Sequence, residues 1–210
     1  MLIIRNLTKR YGDKVILDVS ALNLNQGVHW FKGKNGSGKT TLFKTLSGII
    51  PCDAEVSLDD LIYLKKNPVQ YRSLVSYSEA EPIYPGFLTP RELMKFVAAA
   101  KKATREQQRE LFDVFGISDF QNKSFATCSS GMIKKLALSL AFLGTPKVII
   151  LDEPLITLDD VARGILFGLI KQYVEQLSVT FLISSHQEID HQTLPLAGAY
   201  LIQDGKLTSI

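Results

Sequence analysis

The sequence predicts an α/β fold in which helices flank a mostly parallel sheet, with an antiparallel β part at the N-terminus and a small helical subdomain. Three observations predict this fold. An apolar run at residues 28–31 leads into the glycine-rich stretch GKNGSGKT and then into a helix pattern. Strand and helix patterns alternate again from residue 148 onward. Between these two regions, successive helix-start signals at Thr89 and Thr104 interrupt the alternation.

Length and composition indicate an ordinary globular domain. The chain has 210 residues, of which 46% are hydrophobic and 21% charged, and a chain of this size buries roughly 70% of its unfolded surface. We therefore expect a single domain over residues 1–210. Its core is expected to comprise residues 1–79 and 131–210, with the helical subdomain at about residues 80–130.

Charge and hydropathy exclude several classes of protein. A formal net charge of +3 is too small to indicate a nucleic-acid surface, so no nucleic acid is expected as a partner. Cys52 and Cys128 show no disulfide or zinc spacing, which favours a reducing cytoplasm. No apolar stretch reaches the roughly 18 residues of a membrane helix, and the charged N-terminus does not resemble a signal peptide. The short segment after Leu207 gives no indication of an appended regulatory domain.

Each element is predicted from its pattern, in chain order. Alternation near residues 2–7 and 19–24 predicts antiparallel strands that end at Gln26 and Gly27, and residues 28–31 form a short buried strand. The helix after the glycine loop covers residues 39–46. The helical subdomain is expected to contain helices from 90 to about 102 and from Thr104 to Gly116. The remaining elements are a helix at 130–143, a strand at 148–151, a helix at 159–177, a strand at 179–184 and a strand pair around Gly205.

The stretch GKNGSGKT fits the phosphate-binding loop pattern, because Gly33, Gly38, Lys39 and Thr40 occupy its fixed positions. Backbone N–H groups of such a loop and the N-terminus of the following helix form a cradle for phosphate oxygens. Lys39 supplies charge to the β- and γ-phosphates, and Thr40 supplies a hydroxyl to Mg²⁺. The motif predicts a P-loop NTPase core, and its other expected nucleotide contacts are Asn35, Gly36, Ser37 and Thr41.

Two carboxylates follow the apolar strand at residues 148–151. Asp152 at the strand end is expected to hold Mg²⁺, and Glu153 is expected to act as general base toward the attacking water. Taken alone, the pair is also compatible with an acidic turn after a buried strand. Together, the glycine loop and this pair are compatible with a kinase, a GTPase or a motor.

The stretch CSSGMIKKL, residues 128–136, distinguishes among these classes. A serine-rich turn that begins a helix offers hydroxyls and N–H groups at a positive helix end, which suits phosphate. Ser129, Ser130 and Gly131, about 20 residues before Asp152, resemble the signature motif of ATP-binding cassette (ABC) ATPases, whose usual form is Leu-Ser-Gly-Gly-Gln. Forms with methionine after the glycine are familiar in exporter subunits. An ordinary N-capped core helix is the alternative.

The resemblance covers nearly the whole chain and implies roles for three further residues. Tyr11 is similar in position to the aromatic residue that stacks on adenine, although it could also be a strand tyrosine packed on the sheet. Asp159 resembles the acidic residue of the D-loop, with a plain helix N-cap as the alternative. His186 resembles the switch histidine that contacts the γ-phosphate, with a structural histidine as the alternative.

One motif of the family is absent. The family usually carries a glutamine that bridges the Mg²⁺ site and the transport partner, and it should fall near residue 80. The sequence there has Glu79, Ala80 and Glu81. A carboxylate can reach hydrated Mg²⁺ through water, so Glu79 is the expected replacement, with Glu81 as the alternative. A polar loop without a metal role is equally compatible with the sequence.

By resemblance, the expected cofactors are ATP and Mg²⁺. Each ATP would lie between Lys39 of one chain and Ser129 of a second copy or a related ATPase subunit. The resemblance further implies separate transmembrane permease subunits and a peripheral position on the cytoplasmic face of the membrane. By analogy with exporter subunits, the expected direction of transport is export. The apolar cluster of Ile83, Tyr84, Pro85 and Phe87 suits a groove for a permease helix, or alternatively the core.

Other functions are also considered. A chromosome or repair ATPase would insert long heptad arms between the glycine loop and the signature, and roughly 90 residues leave no room for them. A small kinase does not account for Ser129 or His186. A cassette that acts on ribosomes or another soluble machine remains the alternative to a transporter subunit.

Overall fold

The computed structural model describes residues 1–186 and 192–210 of the chain. The strands of this part are β1 (Leu2–Tyr11), β2 (Lys14–Leu24), β3 (Gly27–Lys32), β4 (Asp53–Leu58), β5 (Ile62–Tyr63), β6 (Val75–Ser78), β7 (Val148–Leu151), β8 (Thr180–Ser184), β9 (Leu196–Gln203) and β10 (Lys206–Ser209). The helices are α1 (Lys39–Leu46), α2 (Pro68–Leu74), α3 (Pro90–Lys101), α4 (Arg105–Val114), α5 (Ser130–Ala141) and α6 (Asp160–Leu177).

The first sheet is antiparallel and has the strand order β2-β1-β4-β5. Its apolar residues alternate with exposed ones, and Leu2 pairs with Leu24 on one side and with Leu58 on the other. All three leucines are buried. Because side chains alternate between the faces of a strand, this pattern places one face of the sheet against the core.

The second sheet has the order β10-β9-β3-β8-β7-β6, and all its strand pairs are parallel except β10 with β9. Phe31 of β3 pairs with Ser184 of β8, and Leu151 of β7 pairs with Ile183. The carboxyl ends of β3, β7 and β8 therefore meet at one edge of the sheet. Ligands of open α/β sheets bind at this edge, because the loops that follow the strands converge there.

Two hydrophobic clusters fill the two faces of the parallel sheet. One cluster packs the antiparallel sheet and α1 against one face of the parallel sheet. In it, the rings of Phe31 and Phe43 make an edge-to-face contact with their centroids 5.4 Å apart. The other joins α3 to α6 with the opposite face, and there Phe142 contacts Tyr173 at 5.0 Å in a similar geometry. The phosphate loop and α1 are thus supported on a sheet that is packed on both sides.

The sequence-based elements are confirmed with boundary differences of a few residues, but the segment from 53 to 78 contains four elements that the sequence analysis did not assign. These are β4, β5, α2 and β6. Strand β6 reads VSYS, and two of its serines, Ser76 and Ser78, are buried. A four-residue strand with buried hydroxyls carries no clear hydrophobic period, so pairing with β7 rather than the local pattern defines it.

A partly buried lysine connects α3 to α2 and β6. The Lys101 ammonium, at the end of α3, donates to the carbonyl oxygens of Arg72 at 2.9 Å and Val75 at 2.8 Å. Burial lowers the pKa of Lys101 to about 8, because a desolvated ammonium is less favourable than a hydrated one.

Within residues 1–186 and 192–210, no helix combines the length and the hydropathy needed to cross a membrane.

Helix α3 begins with the predicted capping box. The Thr89 hydroxyl accepts from the Glu92 N–H at 3.3 Å, and the Thr89 N–H donates to the Glu92 carboxylate at 2.9 Å. We expect Thr89→Ala to lower the free energy of unfolding by about 1 kcal/mol, because it leaves helix-start N–H groups without a partner. Urea denaturation measures the change. Thr89→Ser keeps the capping oxygen and is the matched control, so an equal loss in both variants would contradict the capping role.

Candidate nucleotide-binding site

The glycine loop connects β3 to α1 at the converging edge of the parallel sheet. Gly36 and Gly38 have φ values of 78° and 107°, in the left-handed region that favours glycine. Gly33 lies against β9, where an added Cβ would stand 2.7 Å from the Ile202 carbonyl oxygen. The glycines therefore let the backbone turn tightly and pass close to the neighbouring strand.

Helix α1 begins without a side-chain cap, and Gly38 is its N-cap residue. The first N–H groups of any helix have no intrahelical partner, and the helix dipole adds positive potential there. The Lys39 ammonium folds back over the loop and donates to the Gly33 carbonyl at 2.7 Å. Burial lowers the pKa of Lys39, and the nearby carboxylates of Glu153 and Asp152 oppose that change.

The Asp152 carboxylate is buried at the end of β7 and joins several segments. Thr40 Oγ1 donates to its Oδ2 at 2.7 Å, and Ser184 Oγ donates to its Oδ1 at 2.6 Å. The Tyr77 hydroxyl approaches Oδ2 at 3.4 Å. Burial, followed by the charge of Asp152, raises the pKa of Tyr77. The hydroxyl from α1 and the carboxylate from β7 thus share one small region.

Glu153 lies next to Asp152 in an unusual backbone conformation. Its φ is 45°, which is uncommon for a residue with a Cβ and is a conformation found at functional sites. Its N–H donates to Ser184 Oγ at 2.9 Å, and its carboxylate accepts from the His186 N–H at 3.2 Å. The His186 ring nitrogen Nε2 also lies 3.1 Å from Glu153 Oε1. The side chain of Glu153 is 11% exposed and that of His186 45%.

These groups surround one cavity of about 480 Å³. Most of the predicted residues line it: Tyr11, Asn35, Gly36, Ser37, Gly38, Lys39, Thr40, Thr41, Asp152, Glu153 and His186. Gly33 does not line the cavity, but its carbonyl oxygen accepts a hydrogen bond from the Lys39 ammonium. Tyr11 lines the cavity and is 55% exposed, and the Lys9 ammonium lies 5.1 Å from the centroid of its ring.

The cavity fits a polyphosphate and a divalent cation. An added Cβ at Gly36 would meet no atom within 4 Å, so the loop backbone is open on that side. The uncapped start of α1 and the Lys39 ammonium supply positive potential. The oxygens of Thr40 and Asp152, 2.7 Å apart, are the hard ligands that Mg²⁺ prefers.

Comparison with known proteins identifies the family. The model of the ABC transporter family matches residues 17–156, which cover the glycine loop, the serine-rich turn and the Asp152–Glu153 pair. The chain belongs to the ABC transporter family. It is accordingly an ATP-binding ATPase domain of this family.

Curated relatives support the assignment. The chain is 30% identical to the bacitracin transport ATP-binding protein BcrA of Bacillus licheniformis, over 96% of this chain and 66% of that protein. It is also 30% identical to the ABC transporter ATP-binding protein YtrB of Bacillus subtilis, over 100% of this chain and 71% of that protein. The chain therefore spans about two thirds of the length of these relatives.

Solved structures show that the fold of the cassette is shared. An ATP-binding subunit of an ABC transporter superposes with a TM-score of 0.89 at 23% identity, covering 100% of this chain and 90% of that one. A dimeric ATP-binding cassette bound to ADP and phosphate superposes with a TM-score of 0.83 at 20% identity, covering 100% and 98%. The expected α/β fold with a P-loop NTPase core is thereby confirmed.

The signature residues of this cassette lie away from its own cavity. Ser129, Ser130 and Gly131 are not among the cavity-lining residues. Ser129 caps α5, since its hydroxyl accepts from the Met132 N–H at 3.2 Å, and Ser129 and Ser130 are exposed. An added Cβ at Gly131 would lie 3.2 Å from the Thr157 carbonyl oxygen. The signature turn is therefore exposed to solvent and packed closely on the segment before α6.

Asp159 also lies outside the cavity. Its carboxylate caps α6 by accepting from the Ala162 N–H at 2.7 Å, and it forms an ion pair with Lys135 at 2.8 Å. The Lys135 contact, the largest effect, lowers the pKa of Asp159. The N-cap geometry that the sequence allowed as an alternative is present, and the ion pair connects the segment before α6 to the signature helix.

The loop that lacks the usual glutamine places its two carboxylates differently. Glu79 forms an ion pair with Lys44 of α1 at 3.1 Å and does not line the cavity. Ala80 and Glu81 do line it. Glu81 is thus the carboxylate of this loop that is positioned toward the predicted Mg²⁺ ligands. Within the described parts of the chain, no group of three or more acidic, histidine or cysteine side chains forms a ready metal cluster.

Sequence reasoning missed three contributors to the site. Ser184, Tyr77 and Lys134 all contact Asp152, but they come from three distant segments. Burial lowers the pKa of Lys134 to about 8, against the opposing charges of Asp152, Glu153 and Glu81. A lysine five residues after Ser129 and a serine two residues before His186 carry no motif by which sequence alone could separate them from structural residues.

Ser184 offers a direct test of the site. We expect Ser184→Ala to lower the free energy of unfolding by about 1–3 kcal/mol, because it leaves the Glu153 N–H and a buried Asp152 oxygen without a partner. Urea denaturation measures this loss, and ATP hydrolysis should fall with it. Ser78→Ala, which removes a buried hydroxyl with no partner among the described residues, is the matched control. Equal stability losses in both variants would count against the assignment.

Proposed function

We propose that this cassette hydrolyses ATP in a site formed by two chains and so drives separate transmembrane permease subunits, in the direction of export. The observation that carries the proposal is the separation of two phosphate-binding surfaces. The cavity around Lys39 is open, and the exposed turn at Ser129 lies elsewhere on the same chain. A second copy or a related subunit can bring the two surfaces together around one nucleotide.

The proposed chemistry assigns a role to each group at the cavity. The glycine loop N–H groups and Lys39 bind the β- and γ-phosphates, and Tyr11 stacks on the adenine. Thr40 and Asp152 hold Mg²⁺, and Glu81 is the carboxylate of the loop lacking glutamine that lines the same cavity. When bound, Mg²⁺ neutralises charge that develops on the phosphate oxygens.

Glu153 is proposed as general base. Its carboxylate lies at the cavity and is largely shielded from solvent. The backbone N–H of Glu153 is held by Ser184 Oγ. The carboxylate would take a proton from the attacking water, as a base within hydrogen-bond reach can do. His186, with Nε2 3.1 Å from the same carboxylate, orients Glu153 and is placed to contact the γ-phosphate. From the second chain, Ser129, Ser130 and Gly131 would complete the contacts, with Asp159 at the interface.

The export direction is proposed from the resemblance of the signature to exporter subunits alone, because the relatives differ in direction. One relative is a bacitracin transport protein, whereas another, 24% identical, is an Fe(3+) ions import protein of Photorhabdus laumondii, over 99% of this chain and 60% of that protein. The position of the chain is proposed to be peripheral, on the cytoplasmic face of the membrane, through its permease.

The proposed permease contact is at the helical subdomain, residues 80 to about 130. A groove of about 500 Å³ lies between the loop at residues 79–84, α3 and α5. Of the predicted apolar cluster, Ile83 is 90% exposed and Phe87 82%. Tyr84 instead packs against Phe125 at 5.0 Å. The exposed members are suited to bury a partner helix, since large exposed apolar side chains mark interaction sites.

The two-chain site is tested with Glu153→Gln. We expect this variant to bind Mg-ATP, to lose hydrolysis and to form a stable dimer, because the γ-phosphate contacts that close the two chains persist. Light scattering with and without Mg-ATP measures the dimer, and phosphate release measures hydrolysis. The double variant Glu153→Gln, Ser130→Arg keeps the Ser129 cap but blocks the signature face, so it should bind ATP as a monomer. An ATP-dependent dimer in both would refute the proposed contact.

The permease contact is tested with Ile83→Asp combined with Phe87→Asp. Because both side chains are exposed, we expect unchanged stability and basal ATP hydrolysis, but a loss of the chain from the membrane fraction of cells that contain its permease. Sedimentation separates membrane, ribosome and soluble fractions. Wild-type chain that sediments with ribosomes, or remains soluble, would contradict the transporter role and favour a soluble machine. Leu61→Asp, at a side chain that is 77% exposed and does not line the groove, tests whether any surface charge has the same effect.

A further inference from the structure

Lys134 is a buried cation that none of the predicted catalytic roles uses. It lies in the second turn of α5 and is 1% exposed. Its ammonium donates to the carbonyl oxygens of Glu79 at 2.9 Å, Ala80 at 2.9 Å and Asp152 at 3.3 Å. An ammonium has three N–H donors, and these three carbonyls supply one acceptor for each.

The third contact fixes the peptide group between Asp152 and Glu153. Its carbonyl accepts from Lys134, and its N–H donates to Ser184 Oγ at 2.9 Å. The peptide is thus held on both sides. Because Glu153 has a φ of 45°, a conformation that a non-glycine residue rarely adopts alone, the orientation of this peptide determines where the Glu153 carboxylate points.

The other two contacts hold the loop between β6 and α3. The carbonyls of Glu79 and Ala80 belong to the segment that lacks the usual glutamine, and Ala80 lines the nucleotide cavity. On its other side, the Glu79 carboxylate pairs with Lys44 of α1 at 3.1 Å. The same loop continues to the exposed Ile83. A single ammonium on the signature helix therefore contacts both the partner-facing loop and the catalytic peptide.

We propose that Lys134 is a positioning residue for ATP hydrolysis: its ammonium holds the loop at residues 79–80 and the Asp152–Glu153 peptide together, so that Glu153 faces the cavity. The inference rests on the proposed function, because it acts through Glu153 as general base. It gives the loop at residues 79–81 a connection to the catalytic carboxylate through backbone carbonyls rather than through a glutamine side chain.

A positioning role for Lys134 predicts that its loss lowers kcat in a protein that still folds. Lys134→Met keeps the length of the side chain but removes all three donors. The variant leaves the carbonyls of Glu79, Ala80 and Asp152 without this donor, so its stability is expected to fall, and thermal unfolding shows whether it remains folded. Its kcat for ATP should fall at least about tenfold, while KM and ADP affinity stay within about threefold, because the residue acts on the reacting geometry and not on nucleotide binding.

Two further variants sharpen the test. Lys134→Gln supplies an amide donor on a shorter chain, so its kcat should lie between those of wild type and Lys134→Met. Lys101→Met is the matched control, because the Lys101 ammonium is partly buried and likewise bonded to main-chain carbonyls, and it does not line the nucleotide cavity. We expect Lys101→Met to keep the kcat of wild type.

The measurements are steady-state phosphate release, ADP binding by calorimetry and thermal unfolding, all on the full chain. A wild-type kcat in folded Lys134→Met, or an equal loss of kcat in Lys101→Met, would overturn the proposal. If Lys134→Met does not fold, Lys134→Gln decides: a lower kcat at unchanged KM supports the proposal, and a wild-type kcat overturns it. A wild-type chain that binds ATP without hydrolysing it would instead overturn the proposed function itself.

Discussion

The buried carboxylate of Asp152 is the interaction on which the geometry of the site depends. It accepts hydrogen bonds from Thr40 of α1 and Ser184 of β8, and the Tyr77 hydroxyl of β6 lies nearby. A buried charge is costly unless its hydrogen-bonding capacity is filled. The parallel sheet satisfies this requirement, because it brings the carboxyl ends of its central strands and the start of α1 to one edge. The carboxylate in turn keeps these segments in register around the cavity.

Further contacts hold the peptide group that follows Asp152. Ser184 links Asp152 to the N–H of Glu153, and Lys134 binds the carbonyl of the same peptide. The left-handed conformation of Glu153 is therefore fixed by contacts from β8 and from α5. Strained conformations persist at functional sites where surrounding contacts determine them fully. Here those contacts come from α5, which begins at the predicted signature turn, and from β8, which ends two residues before His186.

The distribution of the candidate phosphate-binding groups supports the proposed two-chain site. The cavity offers the uncapped helix α1 and Lys39, whereas the signature turn offers a second helix start on a different exposed surface. The signature helix is tied within its own chain to the segment before α6 by the Lys135–Asp159 ion pair, and to the loop at residues 79–80 by Lys134. A partner that contacts either the loop at residues 79–80 or the signature turn would therefore contact a segment that is bonded to α5.

The sequence by itself determined the fold class, most element boundaries and the residues of the phosphate loop, because glycines, capping residues and apolar periods act locally. The capping box at Thr89 and the glycine conformations at Gly36 and Gly38 follow from such local rules. Only the tertiary structure decided which carboxylate of the 79–81 loop lies at the cavity, since Glu79 pairs with Lys44 across 35 positions of chain. It also decided that Ser184 and Lys134 hold the Asp152–Glu153 peptide. These contacts join segments whose proximity depends on strand order and helix packing, and no local pattern records that proximity.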